Sequence, residues 1–316
     1  MAEPQGFANV VAMAPSYDKA RSTLDHREVP MKTASRSNAS AGAPDGGDRV
    51  LVTADWLAGH LLDPTVRVVE VDVSRAGYDQ WHIDGAVLWN VYQDLKDSEY
   101  RLIDTAGLER LIARSGIGPE STVVFYGYAP AMGFWLMKLY GHVDVRILDS
   151  SRDAWRAHGH PWSNSAIEPA NAGYLLGEAD RGLRADHSAV RSAISESLIT
   201  IADVRSEPEY RGERFWPSGG LEPNGRAGHV PSAVHQPIDG LYDQHGSFRP
   251  PADLCGVFSS IDLDGDGEVI TYCTIGGRAC TAWFVLSYLL GREHVRVYDG
   301  SWAEWGRMAD TPVERS

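Results

Sequence analysis

From Val50 onward the chain alternates short β-branched runs with segments whose apolar residues recur at helical spacing. Val66 to Val71, Thr122 to Tyr126, Leu198 to Val204 and Glu268 to Tyr272 read as strands buried on both faces. Leu108 to Ser115 and Ala279 to Leu290 read as helices. Strand alternating with helix predicts an α/β chain with parallel sheets flanked by helices. Residues 1–48 are rich in Ala, Ser, Pro, Gly and Asn, carry neither period, and end in the turn-prone run Gly42 to Asp48. They are expected to form a disordered tail. Met31 within that tail is an alternative start to Met1.

The pattern repeats with a period of about 150 residues, the length of a duplicated domain rather than of a solenoid unit. Val71-Asp72-Val73 returns as Ala202-Asp203-Val204, and His82 to Ala86 as His229 to Ala233. Val123 to Tyr126 matches Val269 to Tyr272, Tyr140-Gly141-His142 matches Leu290-Gly291-Arg292, and Leu148 through Trp155 matches Tyr298 through Trp305. Two domains follow, at 49–162 and 190–316, joined by a linker over 163–189. A length of 316 residues with 43% hydrophobic content also exceeds what one core usually organises.

Composition narrows the functions. A formal net charge of -14 argues against nucleic acid or an anionic membrane surface as partner, so an anionic substrate would need a local positive site. With no long apolar run and no apolar N-terminal block, a soluble cytoplasmic protein is expected. Three cysteines, Cys255, Cys273 and Cys280, are too few and too bunched for a disulfide framework. Asp262 to Gly267 imitates the start of a calcium loop, but the twelfth position, where a bidentate glutamate belongs, is Cys273. No metal and no cofactor are expected.

The two copies diverge right after their matched strands. The second reads Cys273-Thr274-Ile275-Gly276-Gly277-Arg278-Ala279, and the first reads Gly127-Tyr128-Ala129-Pro130. The first copy is also four residues shorter between this point and the Gly141/Gly291 match. A cysteine at a strand end, followed by a glycine turn and a helix start, meets backbone amides and a helix dipole that favour the thiolate. Gly276 and Gly277 let the backbone fold back toward the sulfur, and Arg278 adds a nearby positive charge. Cys273 is therefore the candidate nucleophile, and the first domain is a non-catalytic partner. Cys255 and Cys280 read as small buried residues. Because His82 and His229 hold equivalent repeat positions, they read as structural. Trp302 and Trp305 read as packing.

The Cys273 to Ala279 loop, the Trp283-Phe284-Val285-Leu286 helix and the segment Tyr298 to Trp305 resemble the catalytic half of tandem-domain thiosulfate sulfurtransferases of the rhodanese family. The resemblance extends over nearly all of Val52 to Glu314. It implies two tandem rhodanese-like domains, and a Cys273 persulfide that moves sulfane sulfur from thiosulfate to cyanide or a thiol. It also implies amides from Thr274, Ile275, Gly276 and Gly277, and a donor-binding Arg278. Ile275 stands where mercaptopyruvate-using relatives carry serine. Glu209 stands where many vertebrate-type relatives carry an arginine, for which Arg205, Arg211 or Arg214 are candidate replacements. Two other functions compete. One is a persulfide carrier serving a dedicated acceptor protein. The other is a cysteine phosphatase, although such enzymes place five residues between Cys and Arg and this chain places four.

Overall fold

A computed structural model describes residues 50–315. The expected tail 1–48, the choice between Met1 and Met31, and the opening residue of the domain expected from 49 lie outside the described residues.

The first unit runs β1 (Leu51–Val52), α1 (Ala54–His60), β2 (Val66–Asp72), α2 (Arg75–Gln80), β3 (His82–Ile83), β4 (Val87–Asn90), α3 (Thr105–Arg114), β5 (Thr122–Gly127), α4 (Pro130–Leu139), β6 (Val145–Leu148), α5 (Arg152–Ala157) and β7 (Trp162–Ser163). The second runs β8 (Arg184–Ala185), α6 (His187–Ala193), β9 (Ile199–Asp203), α7 (Glu207–Tyr210), β10 (Val234–His235), α8 (Pro251–Val257), β11 (Glu268–Tyr272), α9 (Gly277–Phe284), β12 (Val295–Tyr298) and α10 (Ser301–Trp305). Both main sheets are parallel and share one order: β1-β6-β5-β2-β4 in the first, and β8-β12-β11-β9-β10 in the second. Helix starts carry the expected caps: the side chains of Thr53, Asp104, Ser151 and Asp186 accept from backbone N–H groups two or three residues into their helices.

Sheet register corrects one pairing of the repeat. Tyr126 lies across from Glu70, and Tyr272 across from Asp203. Each tyrosine hydroxyl donates to that facing carboxylate, at 2.5 Å and 2.6 Å. Each also accepts a backbone N–H, from Ile83 and Val230. Asp203 therefore answers to Glu70 rather than to Asp72. The triplet match misses this because it aligns the two strands two residues out of the register the sheets adopt.

The stretch 163–189 crosses the first unit and then joins the second sheet, since β8 and the start of α6 fall inside it. On its way Leu176 N–H donates to Glu109, and the Leu183 carbonyl accepts from the Trp135 indole. The two units meet through α4 and α9. Nearly every residue of α4 is buried, as befits a helix covered on both sides. One side lies on its own sheet, where Gly133 leaves no room for a Cβ against Phe125. On the other side the Phe134 ring packs against Trp283, Phe284 and Tyr288, with centroids 4.9 to 6.1 Å apart. Among the described residues no helix is long and apolar enough to cross a membrane.

Candidate active site

Cys273 follows the last residue of β11, and α9 begins four residues later. The turn closes on Gly276, whose φ of +97° lies in the left-handed region. A Cβ there would sit 2.8 Å from the Asp299 carbonyl oxygen, so only glycine fits. In this conformation the Gly276 N–H donates to Cys273 Sγ at 3.1 Å. The sulfur thus receives a backbone donor at the start of a helix, an arrangement that favours an anion on sulfur. Cys273 is only 1% exposed, so the sulfur lies at the bottom of a covered loop.

The segment after β12 holds this loop from behind. Cys273 N–H donates to Ser301 Oγ at 3.1 Å, and Ser301 Oγ in turn donates to the Tyr298 carbonyl at 2.8 Å. Trp302 and Ala303 N–H groups donate to the carbonyls of Cys273 and Thr274. Ser301 is fully buried at a φ of +55°, a conformation that non-glycine residues seldom adopt. This support is absent from the sequence reading, where Ser301 was one letter of a motif. Its signal is local: a serine just past a strand, following Asp-Gly.

Arg278 does not stand free. Its guanidinium makes a two-pronged ion pair with Glu209, at 2.9 and 2.8 Å, and donates to Thr274 Oγ1 at 2.7 Å. Thr274 Oγ1 also donates to Glu209, at 2.7 Å, and Ser206 caps the same carboxylate. Burial pushes the Glu209 carboxyl up, but the bonds and charge of Arg278, with those of Thr274 and Ser206, hold it down at about 2. The residue that departs from the vertebrate-type pattern therefore neutralises the loop's own arginine.

The other candidates divide. Thr274, Ile275, Gly276 and Gly277 all belong to the loop, with Ile275 packed against the cores on both sides. Arg205 is not at the site. It is wholly buried, paired with Asp203, bonded to the Gly228 carbonyl, and stacked 4.6 Å from the Trp302 ring. Its long polar side chain serves the core beneath the loop. Arg214 donates to the Pro217 carbonyl at 2.9 Å within its own segment.

The first unit closes the front. Ala129, at the N-cap of α4, lies 3.4 Å from where a Gly277 Cβ would be. Its neighbour Tyr128, 60% exposed, is within electrostatic reach of both Cys273 and Arg278. Gly127 holds the position of the cysteine but takes a φ of +106°, with the Val71 carbonyl oxygen 2.9 Å from a would-be Cβ. That backbone path admits no side chain.

The Rhodanese-like domain family matches the chain twice, over residues 53–158 and 186–308, which take in each main sheet apart from its edge strand, β1 or β8. The chain belongs to the rhodanese family. A Mycolicibacterium smegmatis relative named "Putative thiosulfate sulfurtransferase" is 36% identical over 271 residues, 84% of this chain and 97% of the relative. The sulfur carrier protein TtuD of Thermus thermophilus is 36% identical over 275 residues, 84% of this chain and 96% of its own. Among solved structures, the anaerobic ergothioneine biosynthesis enzyme of Chlorobium limicola shares the fold. Its TM-score is 0.75 at 21% identity, covering 85% of this chain and 71% of that one. Membership of the family and the kinship of these relatives make this a sulfurtransferase-type rhodanese with two tandem domains.

Proposed function

We propose that Cys273 carries sulfur as a persulfide, loaded from thiosulfate and discharged to cyanide or a thiol. The single observation behind this reading is the strand-end cysteine whose Sγ receives the Gly276 N–H at 3.1 Å. In the first step the Cys273 thiolate attacks the outer sulfur of thiosulfate, an S–S bond forms, and sulfite departs with the electron pair of the broken S–S bond. In the second, cyanide attacks the terminal sulfur of the persulfide, thiocyanate leaves, and the thiolate returns. No external oxidant or reductant is needed. The Gly276 N–H supports the Sγ thiolate that attacks in the first step and is released in the second.

Thiosulfate is a dianion, and the ion pair with Glu209 leaves Arg278 only part of its charge to offer. A buried sulfur and a neutralised arginine favour a second reading as well, a carrier that hands its sulfur to an acceptor protein. The kinship with a sulfur carrier supports the same alternative. Steady-state formation of thiocyanate from thiosulfate and cyanide decides between them. The enzyme reading expects sustained turnover that Cys273→Ser abolishes in a folded protein. A single stoichiometric discharge with no further turnover supports the carrier.

A further inference from the structure

We propose that Lys96, from the non-catalytic unit, is a positioning residue that fixes the Cys273 loop across the domain boundary. The inference rests on the reading of Cys273 as the sulfur-carrying residue. Lys96 lies in a short chain reversal, paired with Leu102 by an isolated bridge, and its side chain is 1% exposed. An ammonium group is rarely buried so far unless specific partners hold it. Its Nζ donates to the Asp299 carbonyl oxygen at 2.8 Å and lies 3.6 Å from the Asp299 carboxylate. Asp299 also receives bonds from Leu102 N–H in the first unit and from the Arg184 guanidinium in the second. Residues separated by some 200 positions thus converge on one aspartate.

The carbonyl that Lys96 grips is the one Gly276 leans on, where any Cβ would collide at 2.8 Å. Gly276 supplies the N–H at Cys273 Sγ, and the residues that follow Asp299 hold the loop's backbone. The route runs from the Lys96 ammonium to the Asp299 carbonyl, to the Gly276 turn, and so to the sulfur. Cys280, one helical turn into α9, is within electrostatic reach of both Lys96 and Cys273, so the ammonium lies behind the start of the same helix. A catalytic group displaced by about 1 Å loses on the order of a hundredfold in rate, so loosening one of several supports is expected to cost less.

The test compares wild-type protein with Lys96→Met and Lys96→Gln. It measures kcat and KM for thiosulfate, and separately the rate at which iodoacetamide alkylates Cys273, read by peptide mass. Lys96→Met is expected to lower kcat about tenfold with KM within about twofold, and to slow alkylation in parallel. Lys96→Gln, which keeps a donor for the carbonyl, is expected to retain part of both rates. If Lys96→Met does not fold, Lys96→Gln takes its place with a loss of about threefold or more. A folded variant with wild-type kcat and alkylation rate overturns the proposal, as does a loss carried by KM alone. Alkylation does not require sulfur transfer. A wild-type protein inert toward thiosulfate therefore counts against the functional reading, and unchanged alkylation in the variants counts against this one.

Discussion

At the scale of single residues, the Glu209–Arg278 pair sets how much positive charge the Cys273 loop presents. Glu209 is wholly buried, so removing its partner would strand a carboxylate. Arg278→Ala is expected to destabilise the fold by roughly 2 to 4 kcal/mol, below the usual cost for a fully buried pair because Arg278 retains some contact with water. Chemical denaturation measures this directly. Glu209→Gln keeps the shape and releases the arginine's charge. It is expected to lower the KM for thiosulfate several-fold, and an unchanged KM would assign Arg278 to bracing the loop. Two buried glutamates also give opposite pH dependences. Glu209, with its folded value at about 2 against 4.5 unfolded, adds stability above pH 4.5 that is lost as the pH falls from there toward 2. Glu70 is pushed up by burial to about 7, against the pull of Arg152 and the Tyr126 hydroxyl. Its folded form holds a proton that the unfolded chain releases, so stability declines as pH rises from 4.5 to 7. Glu70→Gln is expected to recover stability on the order of 1 to 3 kcal/mol at pH 8 relative to pH 5, measured by urea unfolding at both values.

At the scale of elements, the strands were legible because both faces of a parallel sheet are covered, which writes them as unbroken β-branched runs. The expected Glu268 to Tyr272 strand is β11, and the expected Ala279 to Leu290 helix is α9 with the π-helical turn Val285–Leu289 that continues it. The Cys273 loop was legible because a strand end, two glycines and a helix start leave few backbone paths. What sequence could not show is what meets what. Arg205 looked available to substrate, yet a long cation beside Asp203 can equally be swallowed by the core. Ser301 and Lys96 act on Cys273 through contacts that close only in the folded chain. The turn itself yields a sharp expectation. Gly276→Ala forces a Cβ into the Asp299 carbonyl at a φ of +97°. It is expected to cost about 1 to 3 kcal/mol and to remove sulfur loading, checked by thermal unfolding alongside persulfide content. Conversely, Gly127→Cys is expected not to create a second sulfur site, because the Val71 carbonyl occupies the space for its Cβ.

At the scale of the molecule, two sheets of the same order contribute to one candidate site. The first unit lacks the loop but supplies Tyr128 and Ala129 at the front, Lys96 behind, and α4 against α9. Without it, Trp283, Phe284 and Tyr288 would lose the ring of Phe134. Phe134→Ala in the full chain is expected to cost about 3 to 5 kcal/mol by leaving a cavity at that contact. A separate second unit would have to begin before Arg184, because β8 pairs with β12. The account as a whole stands on one sulfur. The direct test is the intact mass of the full-length protein after brief thiosulfate exposure, with peptide mapping, in the wild type and in Cys273→Ser. The account predicts one added sulfur atom, located on the Cys273 peptide, lost on adding cyanide and absent from the variant. An added sulfur that persists in Cys273→Ser, or maps to Cys255 or Cys280, would contradict it.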